Sequence, residues 1–315
     1  MGKIAFIFPG QGSQKVGMGL ELAERYESSK QIFESADKRL QFPLTDVIFS
    51  GPAEKLKKTE NTQPALLTTS IAILAALKEH GITADYVAGH SLGEYSALVA
   101  AEAISFEDAV YTVRKRGLYM EEAVPSGEGA MAAILGMDRG ALEQVTKEVT
   151  ANGDLVQLAN LNCPGQIAIS GTASGVSKAT QLAKDNGARR AIPLEVSGPF
   201  HSELMKPAAD RLKAVLDEIT IENAKVPVIA NVTAAEMTMA DDIKEKLIKQ
   251  IYSPVLWEDT VKKLLELDVE TFVEIGPGTV LSGLVRKVDR NVKTYAVSDK
   301  DSLMKLVSEC KRGNE

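Results

Sequence analysis

Residues 86–103, Tyr-Val-Ala-Gly-His-Ser-Leu-Gly-Glu-Tyr-Ser-Ala-Leu-Val-Ala-Ala-Glu-Ala, constrain this chain more than any other stretch. The apolar Tyr86-Val87-Ala88 predicts the end of a buried strand, Gly89-His90-Ser91-Leu92-Gly93 a sharp turn, and residues 94–103 an Ala-rich helix. Strand, Gly-x-Ser-x-Gly and helix in that order describe a nucleophile elbow. The glycines matter because a strained turn needs residues without a Cβ where neighbouring elements crowd it. Ser91 then sits at a helix N-terminus, where N–H groups and the helix dipole favour a developing oxyanion. The five-residue pattern alone would fit a serine that merely caps a helix; the flanking strand and helix favour the elbow.

The rest of the 315 residues supports a globular α/β enzyme. Strand-like runs at 4–8, 226–231, 271–275 and 293–297 alternate with helical runs at 19–25, 29–40, 64–80, 106–123, 241–251, 257–266 and 280–289. That alternation predicts a mainly parallel sheet covered by helices, an α/β-hydrolase-like domain. Between 127 and 197 the rhythm changes to βαββαβ, the ferredoxin-like plan. Gly and Pro cluster at both edges, so residues 1–126 and 198–315 are expected to form the large domain and 127–197 a small inserted one. Net charge is −7, which disfavours wholesale nucleic-acid binding. Cys163 and Cys310 have no metal-type or disulfide-framework spacing, and no segment reaches membrane-spanning length; a cytoplasmic monomer is expected. The N-terminal apolar run is too short for a signal peptide. Gly10-Gln11-Gly12 lacks the third glycine of a dinucleotide fingerprint, so no cofactor or metal is expected.

A serine nucleophile needs a general base, and only three histidines exist. His80 precedes Gly81 at a helix end, a routine structural position. His90 adjoins Ser91, and consecutive residues in a tight elbow diverge. His201, after Gly198-Pro199-Phe200 at the hinge of the insert, is what remains as the base. The third member of any triad stays open. On the helix at 106–123, Arg114 and Arg116 flank the apolar stripe at about equal angles, and periodicity does not choose between them.

Taken together, Phe8-Pro9-Gly10-Gln11-Gly12-Ser13-Gln14, Thr62-Gln63-Pro64-Ala65, Gly89-His90-Ser91-Leu92-Gly93-Glu94, Arg116-Gly117, Gly198-Pro199-Phe200-His201-Ser202 and Pro254-Val255-Leu256-Trp257 resemble the malonyl-CoA:acyl carrier protein transacylases over essentially the whole length. The resemblance implies that Ser91 takes malonyl from malonyl-CoA, releasing CoA, and passes it to the phosphopantetheine thiol of acyl carrier protein, with His201 as base. It also implies that the N–H groups of Gln11 and Leu92 form the oxyanion hole, that Arg116 binds the malonyl carboxylate, and that the Gln250 main-chain carbonyl orients His201. By the same resemblance Met120, Phe200 and Gln63 border the acyl pocket, and Phe200 goes with unsubstituted malonyl. Asn160, Asn162 and Gln166 are expected to face the cleft and touch the thioester donor, or else to satisfy turns around Pro164-Gly165. Lys184, Arg189, Arg190 and Lys206 are candidates for a basic patch facing an acidic carrier. A serine hydrolase sharing the elbow would differ in having an acidic partner for His201 and no carboxylate clamp.

Overall fold

The computed structural model describes residues 2–312. Among them run ten strands: β1 (Lys3–Phe8), β2 (Tyr86–Gly89), β3 (Gly129–Leu135), β4 (Val156–Cys163), β5 (Gln166–Thr172), β6 (Arg190–Pro193), β7 (Val228–Ile229), β8 (Glu236–Met237), β9 (Val269–Ile275) and β10 (Lys293–Val297). Six form one sheet in the order β10-β9-β1-β2-β7-β8, parallel except for the last pair. The other four form an antiparallel sheet in the order β4-β5-β3-β6, crossed by helices Arg139–Ala151 and Ala173–Asp185. This is the α/β architecture with a ferredoxin-like insertion that the sequence predicts.

The near-continuous apolar run of β1 fits a strand covered on both faces. Successive side chains point to opposite faces. Phe6 and Phe8 enter one core with Leu67, Val87 and Val273, whereas Ala5 and Ile7 enter the opposite layer with Trp257 and Phe272. The insertion packs its own core around Ala132, Ile134, Leu142, Leu158, Ile169 and Val176. It is also stitched to the large sheet's layer: Leu161 N–H donates to Val255 O (2.9 Å) and Val255 N–H to Ala159 O (2.8 Å).

The elbow is wedged against β1. A Cβ on Gly89 would lie 1.9 Å from the Gly93 carbonyl carbon, and one on Gly93 would lie 2.0 Å from Phe8 O. Neither position has room for a side chain, because strand, turn and helix meet there backbone to backbone.

Two elements differ most from the sequence reading, and four helices are added to it. The helix expected at 64–80 is Thr59–Lys78, with Pro64 inside it. Pro64 offers no N–H to Glu60 O; that carbonyl instead accepts from Arg114 Nη1 at 3.4 Å. The strand expected at 226–231 shrinks to Val228–Ile229, because Asn231 is drawn off: its N–H donates to Glu94 Oε1 and its carbonyl accepts from Leu256 N–H. Helices Leu44–Ser50, Ala53–Lys57, Lys206–Glu218 and Lys300–Arg312 add to those expected. Helix Phe106–Glu122 starts as predicted, with Ser105 Oγ accepting from Asp108 N–H. No helix among the described residues is long and apolar enough to cross a membrane.

The elbow packing makes a graded prediction. Ser105→Ala should cost about 1 kcal/mol through its lost cap, while Gly93→Ala should cost several times that or prevent folding. Chemical denaturation of the two variants side by side checks this; a Gly93→Ala protein as stable as its parent would disprove the wedge.

Candidate active site

Ser91 has φ +52°, a left-handed conformation that costs a non-glycine residue about 1–3 kcal/mol unless its surroundings impose it. They do. Ser91 N–H donates to Asn231 Oδ1 (2.7 Å), Asn231 Nδ2 donates to Gly89 O (2.7 Å), and Gln250 Nε2 donates to Ser91 O (2.9 Å). His201 is likewise left-handed, at φ +60°, in a loop held by Ser202 Oγ donating to Pro199 O.

The two meet. Ser91 Oγ lies 2.8 Å from His201 Nε2, and His201 Nδ1 lies 2.8 Å from Gln250 O. A carbonyl only accepts, so Nδ1 carries the proton and Nε2 is left to receive one from serine. Burial, reinforced by the Arg116 charge, pushes His201 down to about 3, so its imidazole is neutral through the physiological range. No carboxylate pairs with it among the described residues. His90 points elsewhere: its Nε2 pairs with Asn162 Oδ1 (2.9 Å) and its ring centroid lies 5.7 Å from that of Trp257. His80 packs edge-on to Tyr26 beyond a helix end.

Between the two arginines the structure chooses. Arg114 lies half-buried over the Phe42 ring (4.1 Å), while Arg116 is 1% exposed. Arg116 Nη1 donates to Gln63 Oε1 (2.8 Å), and Nη2 donates to Gln250 Oε1 (2.9 Å) and Ser91 Oγ (3.1 Å). Its Cζ sits 5.7 Å from the Tyr95 ring centre. Among the described residues no carboxylate comes within ion-pair distance of it. The nearby buried anion is Glu94, reached through Gln250, whose Nε2 donates to Glu94 Oε2. Burial pushes the Glu94 carboxyl up to about 7, against the opposing pull of Gln250, Asn231 and Arg116.

These groups open on a cavity of about 130 Å³. Of the residues expected there, Gln11, Gln63, Leu92, Arg116, Met120, Asn160 and Phe200 line it together with Ser91 and His201. Asn160 reaches it beside a register shift in β4, where a bulge re-aims the side chain. Two expectations are corrected. Asn162 is occupied with His90, and Gln166 accepts from Lys287 Nζ (2.8 Å); neither lines the cavity. Of the basic candidates, Lys206 is tied to Glu203 (3.4 Å) on the large unit, apart from the exposed Lys184, Arg189 and Arg190 of the insertion.

Met131, Leu194 and Val196 also line the cavity, and Glu94 and Asn231 support it; sequence reasoning missed all five. A lone acid on an otherwise apolar, Ala-rich helix was the available signal for Glu94. The N–H groups of Gln11 and Leu92 make no hydrogen bond to a protein acceptor among the described residues.

A serine hydroxyl shared between a neutral imidazole and a buried guanidinium, beside free N–H groups, is a centre for acyl transfer through serine. The sequence model of the acyl transferase domain matches residues 5–312, and the chain belongs to that family, among its malonyl CoA-acyl carrier protein transacylases. It is 65% identical over 315 residues to the malonyl CoA-acyl carrier protein transacylase of Bacillus subtilis, covering all of this chain and 99% of that one. Identity to the transacylase of Staphylococcus aureus is 46% over 94% of this chain and 96% of that one. The crystal structure of the Clostridium perfringens transacylase superposes with a TM-score of 0.96 at 41% identity, covering 99% of this chain and 98% of the other. A malonyl-transacylase in complex with its type II PKS acyl-carrier protein superposes at 0.94 with 43% identity, covering 98% and 99%.

The two shifted groups act oppositely on stability. The folded state binds fewer protons at His201 than the unfolded chain does, so that contribution is lost as pH falls from about 6.5 toward 3. It binds more at Glu94, so that contribution is lost as pH rises from about 4.5 through 7. Relative to the parent, Glu94→Gln should therefore gain stability across pH 4.5–7, by up to about 1.4 kcal/mol per pH unit. Urea denaturation of both proteins at several pH values measures this, and a pH-independent difference would refute the shift.

Proposed function

We propose that this chain transfers malonyl from malonyl-CoA to the phosphopantetheine thiol of an acyl carrier protein, through a malonyl ester on Ser91, for fatty-acid synthesis. The carrying observation is a buried guanidinium without a carboxylate in contact, 3.1 Å from the nucleophilic oxygen. Such a cation is matched by a substrate that brings its own carboxylate, and a planar fork suits two carboxylate oxygens. A hydrolase of neutral esters has no use for it.

His201 Nε2 takes the Ser91 proton as Oγ attacks the thioester carbonyl. The N–H groups of Gln11 and Leu92 receive the oxyanion. Collapse breaks the C–S bond, and His201 returns the proton to the departing sulfur of CoA. The carrier's thiol then gives its proton to His201 and attacks the malonyl ester; the C–O bond to Ser91 breaks, and His201 returns the proton to Ser91 Oγ. Gln250 O holds the imidazole by Nδ1–H throughout, in place of an acid. CoA and phosphopantetheine enter as substrate groups, and the chain's own residues perform each step.

We assign the chemistry to a domain of residues 1–126 and 198–315 and one cavity wall to the insertion, 127–197. Its exposed Lys184, Arg189 and Arg190 are our candidates for contact with an acidic carrier.

Intact-protein mass spectrometry after brief mixing with malonyl-CoA should show one malonyl adduct, absent from Ser91→Ala, that moves to added holo carrier protein. Free malonate appearing without carrier would instead indicate a hydrolase. Arg116→Ala should lower kcat/KM for malonyl-CoA by about a hundredfold or more, the usual cost of removing one partner of a buried charge pair, while sparing acetyl-CoA. Steady-state assays with the two thioesters test this; equal losses would mean Arg116 merely supports the fold.

A further inference from the structure

Acyl transfer leaves the buried carboxylate beside the site, Glu94, without a task. Glu94 is 1% exposed, and among the described residues its two oxygens accept only from Asn231 N–H (3.2 Å) and Gln250 Nε2. Two donors are meagre solvation for a carboxylate removed from water. The same Gln250 amide accepts, through Oε1, from Arg116 Nη2 (2.9 Å). Cation, amide and anion thus form one hydrogen-bonded line, Arg116–Gln250–Glu94, with no direct ion pair.

We propose that Glu94, linked to Arg116 through the Gln250 side chain, is the resting counter-charge of that guanidinium and takes up a proton when a substrate carboxylate pairs with Arg116. The proposal rests on the malonyl reading of the site. With Glu94 ionised, the buried pair sums to zero. A malonyl carboxylate on Arg116 adds a second anion to this buried cluster, and one proton taken up on Glu94 restores neutrality. Acylation itself is proton-neutral: the Ser91 Oγ–H and thioester C–S bonds break, the ester C–O bond forms, and the serine proton leaves on the CoA thiol. Any net uptake is therefore owed to the change of charge at the site.

The charged and titratable groups facing Glu94 agree. Lys246, on the helix that carries Gln250, is engaged with Asp242 (2.7 Å) and pulls on Glu94 less than Arg116 does. Tyr95, on Glu94's own helix, stays neutral because burial raises its hydroxyl further above its usual range. His201 faces Arg116 and is neutral at rest, which makes it the competing proton acceptor. Burial already holds the Glu94 carboxyl near neutrality, within reach of a modest change in its surroundings.

The test follows the equilibrium between wild-type enzyme with malonyl-CoA and malonyl-Ser91 enzyme with CoA, read by quenched intact mass from pH 6 to 8.5. The expected equilibrium constant is level near pH 6 and falls at higher pH, approaching about tenfold per unit. A level constant throughout would overturn the proposal, and this needs no variant. Glu94→Gln should abolish the slope; a slope that survives would place the proton on His201 and overturn the assignment to Glu94. Absence of any malonyl-Ser91 adduct would instead overturn the reading beneath it, and this proposal with it.

Discussion

The centre of this molecule depends on burying one positive charge. A guanidinium taken out of water must recover its hydration from fixed dipoles, and Arg116 does so with the amide oxygens of Gln63 and Gln250, the Ser91 hydroxyl and the face of Tyr95. Each of these acceptors is neutral. A carboxylate in direct contact would have satisfied the arginine more fully, and it would also have competed with an incoming anion for the same N–H groups. Keeping Glu94 one amide away lowers the cost of the cation and leaves its fork held by neutral acceptors alone.

Gln250 is where the demands converge. Its backbone carbonyl fixes His201, while its side chain holds Arg116, the Ser91 carbonyl and Glu94. One residue at the end of helix Ala240–Gln250 therefore couples the tautomer of the base, the conformation of the nucleophile and the placement of the charge. The strain at Ser91 and His201 persists because these bonds over-determine both backbones.

Much of this was legible in the sequence, for physical reasons. Gly89 and Gly93 announced the elbow because no other residue fits between β2, the following helix and β1. The βαββαβ rhythm announced the insertion because each period reflects a one-sided core. Three histidines left little choice of base. What stayed hidden was non-local. Periodicity could not separate Arg114 from Arg116, since the deciding factor is Gln63 and Gln250 on other helices. Gln166 and Asn162 looked equivalent to Asn160 along β4 and β5, yet Asn162 is paired with His90 and Gln166 with Lys287, which leaves only Asn160 of the three on the cavity. The early start of helix Thr59–Lys78 was masked by Pro64, which leaves the Glu60 carbonyl without an N–H partner, and that carbonyl accepts instead from Arg114, more than fifty residues away. Helix Lys206–Glu218 did carry its own signals, a proline in the first turn and an apolar stripe through Ala208, Leu212, Val215 and Leu216, so its omission reflects the reading and not the sequence.

The cavity is walled by residues of the large unit and of the insertion. Ser91, His201, Arg116 and Gln250 belong to the large unit, while Met131, Asn160 and Leu194 come from the insertion. The large unit supplies the chemistry together with part of the wall, Gln63, Met120 and Phe200, and the insertion supplies the rest. Substitutions on the inner strands of the insertion can reshape which acyl groups are admitted without touching the proton-transfer machinery. The fold thus gives a lineage a way to diversify its substrates while its reaction stays fixed.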